Sequence, residues 1–214
     1  MTREGGAPSI AVIGGGLTGL MTAAALSHAG PRVHLIDRAE SDAAHPDERT
    51  TTINAAGARM LAALGAWDRL EKPPAPVTCI AVAEGPAPTG LAARRRPDSD
   101  LSWQSGDALM GYVVANAALQ SALRDTLAVT NVIERRGCGV MSWSAGDTIS
   151  SLGLVDAAGQ EETMEAALVV ACDGARSMMA ELAGLGRREE RQRQTAIVTT
   201  LRAERPHERT AFQR

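Results

Sequence analysis

A glycine-rich turn between a short apolar run and a helix pattern constrains this chain more than any other feature. Residues 9–38, SIAVIGGGLTGLMTAAALSHAGPRVHLIDR, read as a strand, a turn, a helix and a second strand, which together make one βαβ unit. Gly14, Gly16 and Gly19 satisfy the spacing G-x-G-x-x-G directly after the apolar residues Ile10–Ile13. This context predicts an α/β fold with a dinucleotide site at the edge of its sheet.

Each glycine of the turn has its own predicted role. Gly14 permits the tight turn, Gly16 lets the backbone approach a pyrophosphate, and Gly19 allows close packing of helix and strand. The helix begins near Leu17 and Thr18. Its unpaired amides and the positive end of its dipole favour a phosphate at that point.

An acidic residue follows at the position that such a site requires. Asp37 ends the second strand 18 residues after Gly19, where a carboxylate would accept hydrogen bonds from the adenosine ribose. Arg38, the next residue, is assigned to the same site. The pattern does not distinguish FAD from a nicotinamide dinucleotide, because both bind in this way.

The stretch LVVACDGARS, residues 168–177, raises a second question. An apolar run typical of a buried strand stops at Asp173 and Gly174. Asp and Gly are ordinary turn formers, so a turn explains the pair without any ligand. Strand ends in open α/β sheets are also where ligands bind, so the pair could face a cofactor.

Composition excludes several classes of protein. The chain has 214 residues, is 44% apolar, and carries 22 basic and 25 acidic residues for a net charge of -3, so nucleic acid is not an expected partner. Three well-separated cysteines show no metal spacing and fit a reduced cytoplasmic setting. No apolar segment reaches membrane-spanning length, which leaves peripheral membrane contact open.

Hydrophobic periodicity places further elements along the chain. A helix is predicted over 54–64, with Asn54 as N-cap and Gly65 as its stop, and a second helix over 115–128. Strands are predicted near 129–133, 138–143, 148–155 and 195–201. The chain is divided into residues 1–75, which contain the βαβ unit, an inserted excursion over 76–105, a return to the first domain over 106–183, and the start of a further sheet over 184–214.

Four stretches together resemble the class A flavin monooxygenases, and in particular the ubiquinone-biosynthesis hydroxylases. They are VIGGGLTGL, ERTTTINAAGARMLAALGAWD, GYVVANAALQSAL and LVVACDGARS. The resemblance implies a Rossmann-like FAD-binding domain of the glutathione-reductase type, with an interleaved, incomplete β-sheet substrate domain. It assigns residues 1–75 and 106–183 to the FAD-binding domain, 76–105 to an excursion into the substrate domain, and 184–214 to the start of the substrate-domain sheet. The family's second Gly-Asp motif lies further downstream than this sequence extends, so we interpret the chain as an N-terminal portion of the fold or a truncated gene product.

The resemblance also assigns roles to particular residues. Arg49, with Thr50 beside it, would lie along the flavin, and Gln120 would contact the ribityl or phosphate region. Asp173 and Gly174 would lie near the FAD pyrophosphate and the nicotinamide. No catalytic acid or base is indicated.

The implied reaction is hydroxylation of an aromatic ring, on a polyprenylated phenol, by FAD with NAD(P)H and O2. Alternatives are a related flavoprotein such as a prenyl reductase or a halogenase, a nicotinamide-only dehydrogenase, and an inactive dinucleotide-binding fragment. A halogenase would need a catalytic lysine, and the only lysine is Lys72 in the Pro-rich segment 71–76.

Overall fold

The computed structural model describes residues 9–40, 47–85, 101–104, 109–186, 188, 190 and 194–214. A short 3-10 turn spans Trp67–Arg69. Within the described ranges, no helix combines the length and the apolar character needed to cross a bilayer. The elements in chain order are β1 Ser9–Ile13, α1 Leu17–His28, β2 Arg32–Asp37, β3 Thr50–Asn54, α2 Ala55–Ala63, β4 Ala75–Val77, β5 Cys79–Val82, β6 Leu101–Gln104, β7 Gly111–Ala115, α3 Asn116–Leu127, β8 Ile133–Arg136, β9 Cys138–Ser144, β10 Ser150–Asp156, β11 Glu161–Ala166, β12 Leu168–Ala171, α4 Met178–Leu182 and β13 Thr210–Gln213.

A parallel four-stranded sheet forms the centre of the fold. Its strand order is β12-β1-β2-β8, and all neighbouring pairs are parallel. Ile13 at the end of β1 is in register with Ile36 of β2 and with Ala171 of β12. The carboxyl ends of these three strands therefore meet at one edge of the sheet.

Two hydrophobic layers cover the two faces of this sheet. On one face, Val12 and Val33 pack with Leu20 of α1 and Leu123 of α3. On the other face, Ile13 and Ile36 pack with β10 of the antiparallel sheet β11-β10-β9. The sheet is buried on both faces at its central strands β1 and β2, which explains the apolar run of β1.

Two smaller sheets complete the described part of the chain. One has the order β3-β7-β4 and the other the order β13-β5-β6. In the second sheet β13 pairs in parallel with β5, and β6 pairs antiparallel with the opposite edge of β5. Strands from the predicted segments 76–105 and 184–214 therefore share a sheet, while the segment boundaries themselves stay a prediction.

Several expectations from the sequence are confirmed. The βαβ unit over 9–38 is present as β1, α1 and β2, and α3 lies within the predicted helix over 115–128. Asn54 caps α2, because its side chain accepts a hydrogen bond from the Gly57 amide at 2.7 Å. Gly65 follows α2 with a φ of +76°, a left-handed conformation that favours glycine and ends the helix.

The predicted strand over 195–201 is wrong. These residues form no strand, and Ile197 and Leu201 are among the most exposed apolar side chains. An alternating pattern becomes a strand only where a partner edge accepts its hydrogen bonds. Residues 195–201 pair with no strand of the described sheets.

The strand expected near 129–133 begins later, at Ile133. The preceding residues instead close the end of α3, where the amide and the hydroxyl of Thr130 both donate to the Leu127 carbonyl. The segment GYVVA is a strand, β7, that precedes α3.

We expect Leu123→Ala to destabilise the chain by about 2–5 kcal/mol, because it leaves a cavity where α3 meets the parallel sheet. Leu123 is fully buried, whereas Leu185 is 67% exposed. Leu185→Ala is therefore the matched control, and it should change the free energy of unfolding by less than about 0.5 kcal/mol. Urea unfolding followed by circular dichroism measures both, and equal effects would contradict this packing.

Candidate dinucleotide site

The three strand ends at the edge of the parallel sheet carry residues that the sequence predicts for the dinucleotide site. The glycine turn follows β1, Asp37 ends β2, and Asp173 follows β12. Two backbone hydrogen bonds of 2.7 Å lock this edge, from the Gly14 amide to the Ile36 carbonyl and from the Cys172 amide to the Ile13 carbonyl. Pairing of the strands thus brings together three segments that are distant in sequence.

Two of the glycines are required by the fold itself. Gly14 has a φ of +104°, and a Cβ there would lie 2.5 Å from the carbonyl oxygen of Cys172. A Cβ at Gly19 would overlap the Gly14 carbonyl oxygen. The predicted roles in tight turning and close packing are confirmed for these two positions.

Gly16 is different, because the protein leaves the space beside it open. It is exposed, it is the N-cap of α1, and a Cβ placed there would meet no heavy atom of the described residues within 4 Å. No described side chain caps this helix. The helix starts at Leu17 and Thr18, whose amides have no acceptor inside the helix.

This open turn fits the diphosphate of a dinucleotide. The amides at the start of α1 supply hydrogen-bond donors, and the helix dipole supplies a favourable potential for an anion. The missing Cβ at Gly16 lets a ligand approach the backbone closely. The residues present therefore fit the group that the sequence predicts here.

Asp37 lies directly over the glycine turn. Its side chain is 16% exposed, and its Oδ2 occupies the place that a Cβ of Gly15 would take. Its Oδ1 accepts a hydrogen bond from the Ala39 amide at 3.3 Å. Arg38 is exposed, and its aliphatic part lies beside Gly139 of β9.

Asp173 has a structural role in this arrangement. Its carboxylate accepts hydrogen bonds from the Ser177 hydroxyl at 2.7 Å and from the Met179 amide at 3.0 Å, which fastens the start of α4. Partial burial alone would raise the pKa of Asp173, but these hydrogen bonds outweigh it and the pKa lies below its ordinary value. Gly174 is exposed with a φ of +81°.

Arg49 and Thr50 lie away from the sheet edge, before and at the start of β3. The Arg49 side chain is 70% exposed and donates to both carboxylate oxygens of Asp47, at 2.7 and 2.8 Å. This hydrogen bonding lowers the pKa of Asp47 and raises that of Arg49. Asn116 adds a hydrogen bond to Asp47 from its side chain, and its amide donates to the Arg49 carbonyl at 2.9 Å.

Helix α3 links the Arg49 segment to the sheet edge. It begins at Asn116, against Arg49, and carries the half-buried Gln120 one turn later. Another turn along, Arg124 reaches the carbonyl of Gly15. Eight residues of α-helix separate Asn116 from Arg124, a rise of about 12 Å.

Arg124 is a site residue that sequence reasoning missed. Its guanidinium lies 3.6 Å from Oδ2 of Asp37 and also contacts Glu134 of β8. A signal was present in the sequence, because Arg124 follows Gln120 by four residues and shares its face of the helix.

An apolar cavity of about 580 Å³ lies between α1, β3, α2 and α3. It reaches Leu17 and Thr18, but the rest of its lining is mainly apolar and includes Met21, Ile53 and Leu123. Such a surface offers little to a diphosphate. Compared with this cavity, the glycine turn and the start of α1 offer the better fit to a phosphate, because they present backbone amides.

A parallel sheet with a glycine turn, a helix start and a terminal acid at one edge defines a dinucleotide-binding α/β protein. Residues 8–211 match the family model described as the FAD binding domain. The chain therefore belongs to this family of class A flavoprotein monooxygenases. The match confirms the resemblance that the four motif stretches carry.

Two curated relatives show how much of a longer protein the chain matches. It is 32% identical over 201 residues to ubiquinone hydroxylase UbiL of Rhodospirillum rubrum, covering 92% of this chain and 44% of the relative. It is 28% identical over 213 residues to 3-demethoxyubiquinol 3-hydroxylase of Escherichia coli, covering 91% and 48%. The chain thus spans about half the length of these relatives.

Solved structures show the same fold. The p-nitrophenol 4-monooxygenase of Pseudomonas putida superposes with a TM-score of 0.68 at 22% identity, covering 83% of this chain and 44% of that one. Aklavinone-11 hydroxylase, solved with FAD and aklavinone, gives a TM-score of 0.64 at 20% identity, covering 86% and 36%. The expected FAD-binding α/β fold is confirmed.

We expect Asp173→Asn to destabilise the chain by about 1–2 kcal/mol at pH 7, because it removes the charge that strengthens two hydrogen bonds at α4. The folded-state pKa of Asp173 is depressed. Its contribution is therefore present above the unfolded-state pKa, near 4, and is lost as the pH falls through the folded-state pKa. Thermal unfolding from pH 7 to pH 3 should show the difference between the natural chain and the variant shrinking.

Asp147→Asn is the matched control for this experiment, because Asp147 is exposed in the turn between β9 and β10. It should have little effect at either pH. An effect of Asp173→Asn that is absent at pH 7, or that does not change on acidification, would contradict the role of the ionised carboxylate.

Proposed function

We propose that this chain provides the FAD-binding part of an aromatic-ring hydroxylase. The observation that carries the proposal is the open glycine turn at Gly16, at the start of α1, beside a carboxylate at the end of β2. The family match supports FAD as the dinucleotide. Gly14, Gly16 and Gly19, with the amides at Leu17 and Thr18, would hold the pyrophosphate, and Asp37 would hold the adenosine ribose.

Helix α3 gives the cofactor a direction in this proposal. The adenosine end lies at Asp37 and Arg38, and the flavin end lies toward Arg49 and Thr50. Gln120 sits between them, since α3 runs from the Arg49 carbonyl to the glycine turn. Asp173 and Gly174 would border the pyrophosphate from the adjoining strand end. Gly174 offers an exposed backbone there, with no Cβ and in a left-handed conformation.

The proposed reaction is insertion of one oxygen atom into the ring of a polyprenylated phenol in ubiquinone biosynthesis. The relatives named as ubiquinone hydroxylase and 3-demethoxyubiquinol 3-hydroxylase support this substrate class. The chemistry that bound FAD supplies is acceptance of a hydride from NAD(P)H and activation of O2. One oxygen atom enters the ring, and the other leaves as water with the electrons of NAD(P)H.

The residues of this chain contribute binding and orientation to that reaction. The donors at α1 and the carboxylate of Asp37 fix the adenosine half, so that the opposite end extends along α3. Arg49, which is exposed and paired with Asp47, lies at the end proposed for the flavin. We place the protein in the cytoplasm, with peripheral contact to the membrane that holds a polyprenylated substrate.

The first test is FAD binding by the natural chain and by Gly16→Val. The backbone at Gly16 is extended, with φ −72° and ψ 178°, and the position is open, so valine should leave the fold intact while filling the space proposed for the pyrophosphate. We expect retained flavin absorbance in the natural chain and no measurable binding in the variant, with unchanged far-ultraviolet circular dichroism.

Gly186→Val is the matched control, because Gly186 is also open and has no positive φ. It should bind FAD like the natural chain. Equal FAD affinity in Gly16→Val, or no affinity in the natural chain, would overturn the proposed site. The hydroxylase step is tested with 18O2, NAD(P)H and a polyprenylated phenol, and absence of a product heavier by one 18O atom would contradict that activity for this chain.

A further inference from the structure

We propose that Arg124 is a positioning residue of the cofactor site, which holds the Asp37 carboxylate over the glycine turn where the adenosine ribose binds. The inference rests on the proposed FAD site and adds to it a residue from α3. It concerns the residue that orients the ribose-binding acid, and hence the selectivity of the site for a ribose with its 2′-hydroxyl.

The guanidinium of Arg124 joins three segments of the fold. Its Nη2 lies 3.6 Å from Oδ2 of Asp37 and donates to the Gly15 carbonyl at 3.4 Å. Its Nη1 lies 3.2 Å from Oε2 of Glu134. One planar, rigid group therefore fixes the end of β2, the glycine turn and β8 relative to one another.

The charged side chains in these contacts are largely buried. The side chains of Arg124 and Asp37 are 14% and 16% exposed, and that of Glu134 is 28% exposed. A charge that is largely removed from water is costly unless an opposite charge or hydrogen bonds compensate it. Arg124 and Asp37 therefore depend on each other for their positions.

The orientation of Asp37 leaves it able to bind a ribose. Its Oδ2 fills the space above Gly15 and faces Arg124, while its Oδ1 accepts from the Ala39 amide. A carboxylate offers about four acceptor positions, so these contacts leave capacity for a ribose hydroxyl. Without Arg124, the carboxylate would lose the partner that holds it at the turn.

Arg124 also offsets the repulsion between two negative charges at the site. Asp37 and the pyrophosphate proposed at the start of α1 are both anionic and lie at the same glycine turn. Like charges at close range repel, and a nearby cation offsets that repulsion. Removing Arg124 should therefore weaken binding through both the geometry and the charge of Asp37.

The experiment compares Arg124→Gln, Arg124→Lys and Asp37→Asn in the full chain. FAD affinity is measured by titration, and ADP and 2′-deoxy-ADP are then used to displace FAD, so that their ratio reports ribose recognition. We expect Arg124→Gln to raise the Kd for FAD about ten-fold. The preference for ADP over 2′-deoxy-ADP should fall toward one, as in Asp37→Asn, and Arg124→Lys should keep an intermediate preference.

Arg59→Gln is the matched control for the change in charge, because Arg59 is exposed on α2. It should leave the FAD affinity and the ADP preference unchanged. In a chain that already carries Asp37→Asn, adding Arg124→Gln should change the ADP preference no further, since Arg124 acts through Asp37. If Arg124→Gln does not fold, Arg124→Lys carries the comparison, with Arg59→Lys as its control.

An ADP preference that is unchanged in Arg124→Gln would overturn the positioning role, whether the affinities for ADP and 2′-deoxy-ADP both stay the same or both fall by the same factor. Either result with normal FAD binding by the natural chain, and none by Gly16→Val, would leave the proposed FAD site standing. A natural chain without affinity for FAD would overturn both proposals.

Discussion

Parallel pairing of β1 with β2 on one side and β12 on the other is the constraint from which the site follows. Because all three strands run in the same direction, their carboxyl ends meet at one edge. That edge collects the glycine turn, Asp37 and Asp173 from positions far apart in sequence. The apolar side chains of β1 and β2, buried on both faces of the sheet, hold these ends in register.

The glycines of the turn fall into two groups, according to whether protein atoms lie against them. Gly14 and Gly19 are glycine because the protein's own backbone lies against them, and Gly15 is glycine because the Asp37 carboxylate does. The unbound chain would tolerate a side chain at Gly16, and the pyrophosphate proposed to bind there gives a physical reason for glycine at that position. The spacing alone does not separate these roles, since both kinds of glycine satisfy the same motif.

Local patterns predicted most of the parts whose partners lie nearby in sequence. The βαβ unit, the Asn54 cap and the Gly65 stop depend on local backbone and side-chain chemistry, which a sequence displays directly. The strand expected over 195–201 failed because strand formation requires a partner edge elsewhere in the fold, and these residues pair with none in the described sheets. Arg124 was missed for a similar reason, because its partners Asp37 and Glu134 come from other elements.

Asp173 has a structural role that is compatible with the binding role proposed for the backbone beside it. Its carboxylate accepts hydrogen bonds from Ser177 and Met179, so the fold uses this side chain without any ligand. The backbone beside it, at Gly174, stays exposed in a left-handed conformation. A ligand at this strand end would therefore meet the peptide groups first, which is how the glycine turn itself is proposed to act.

Helix α3 contacts both ends of the proposed cofactor site and so links their positions. Its first residue, Asn116, binds the backbone of Arg49, and its third turn carries Arg124 to Asp37. The apolar face between them is anchored by Leu119 and Leu123 in the core shared with β1 and α1. A shift of this helix would move the flavin end and the ribose end together, so the packing of α3 sets the distance over which an extended dinucleotide must be held.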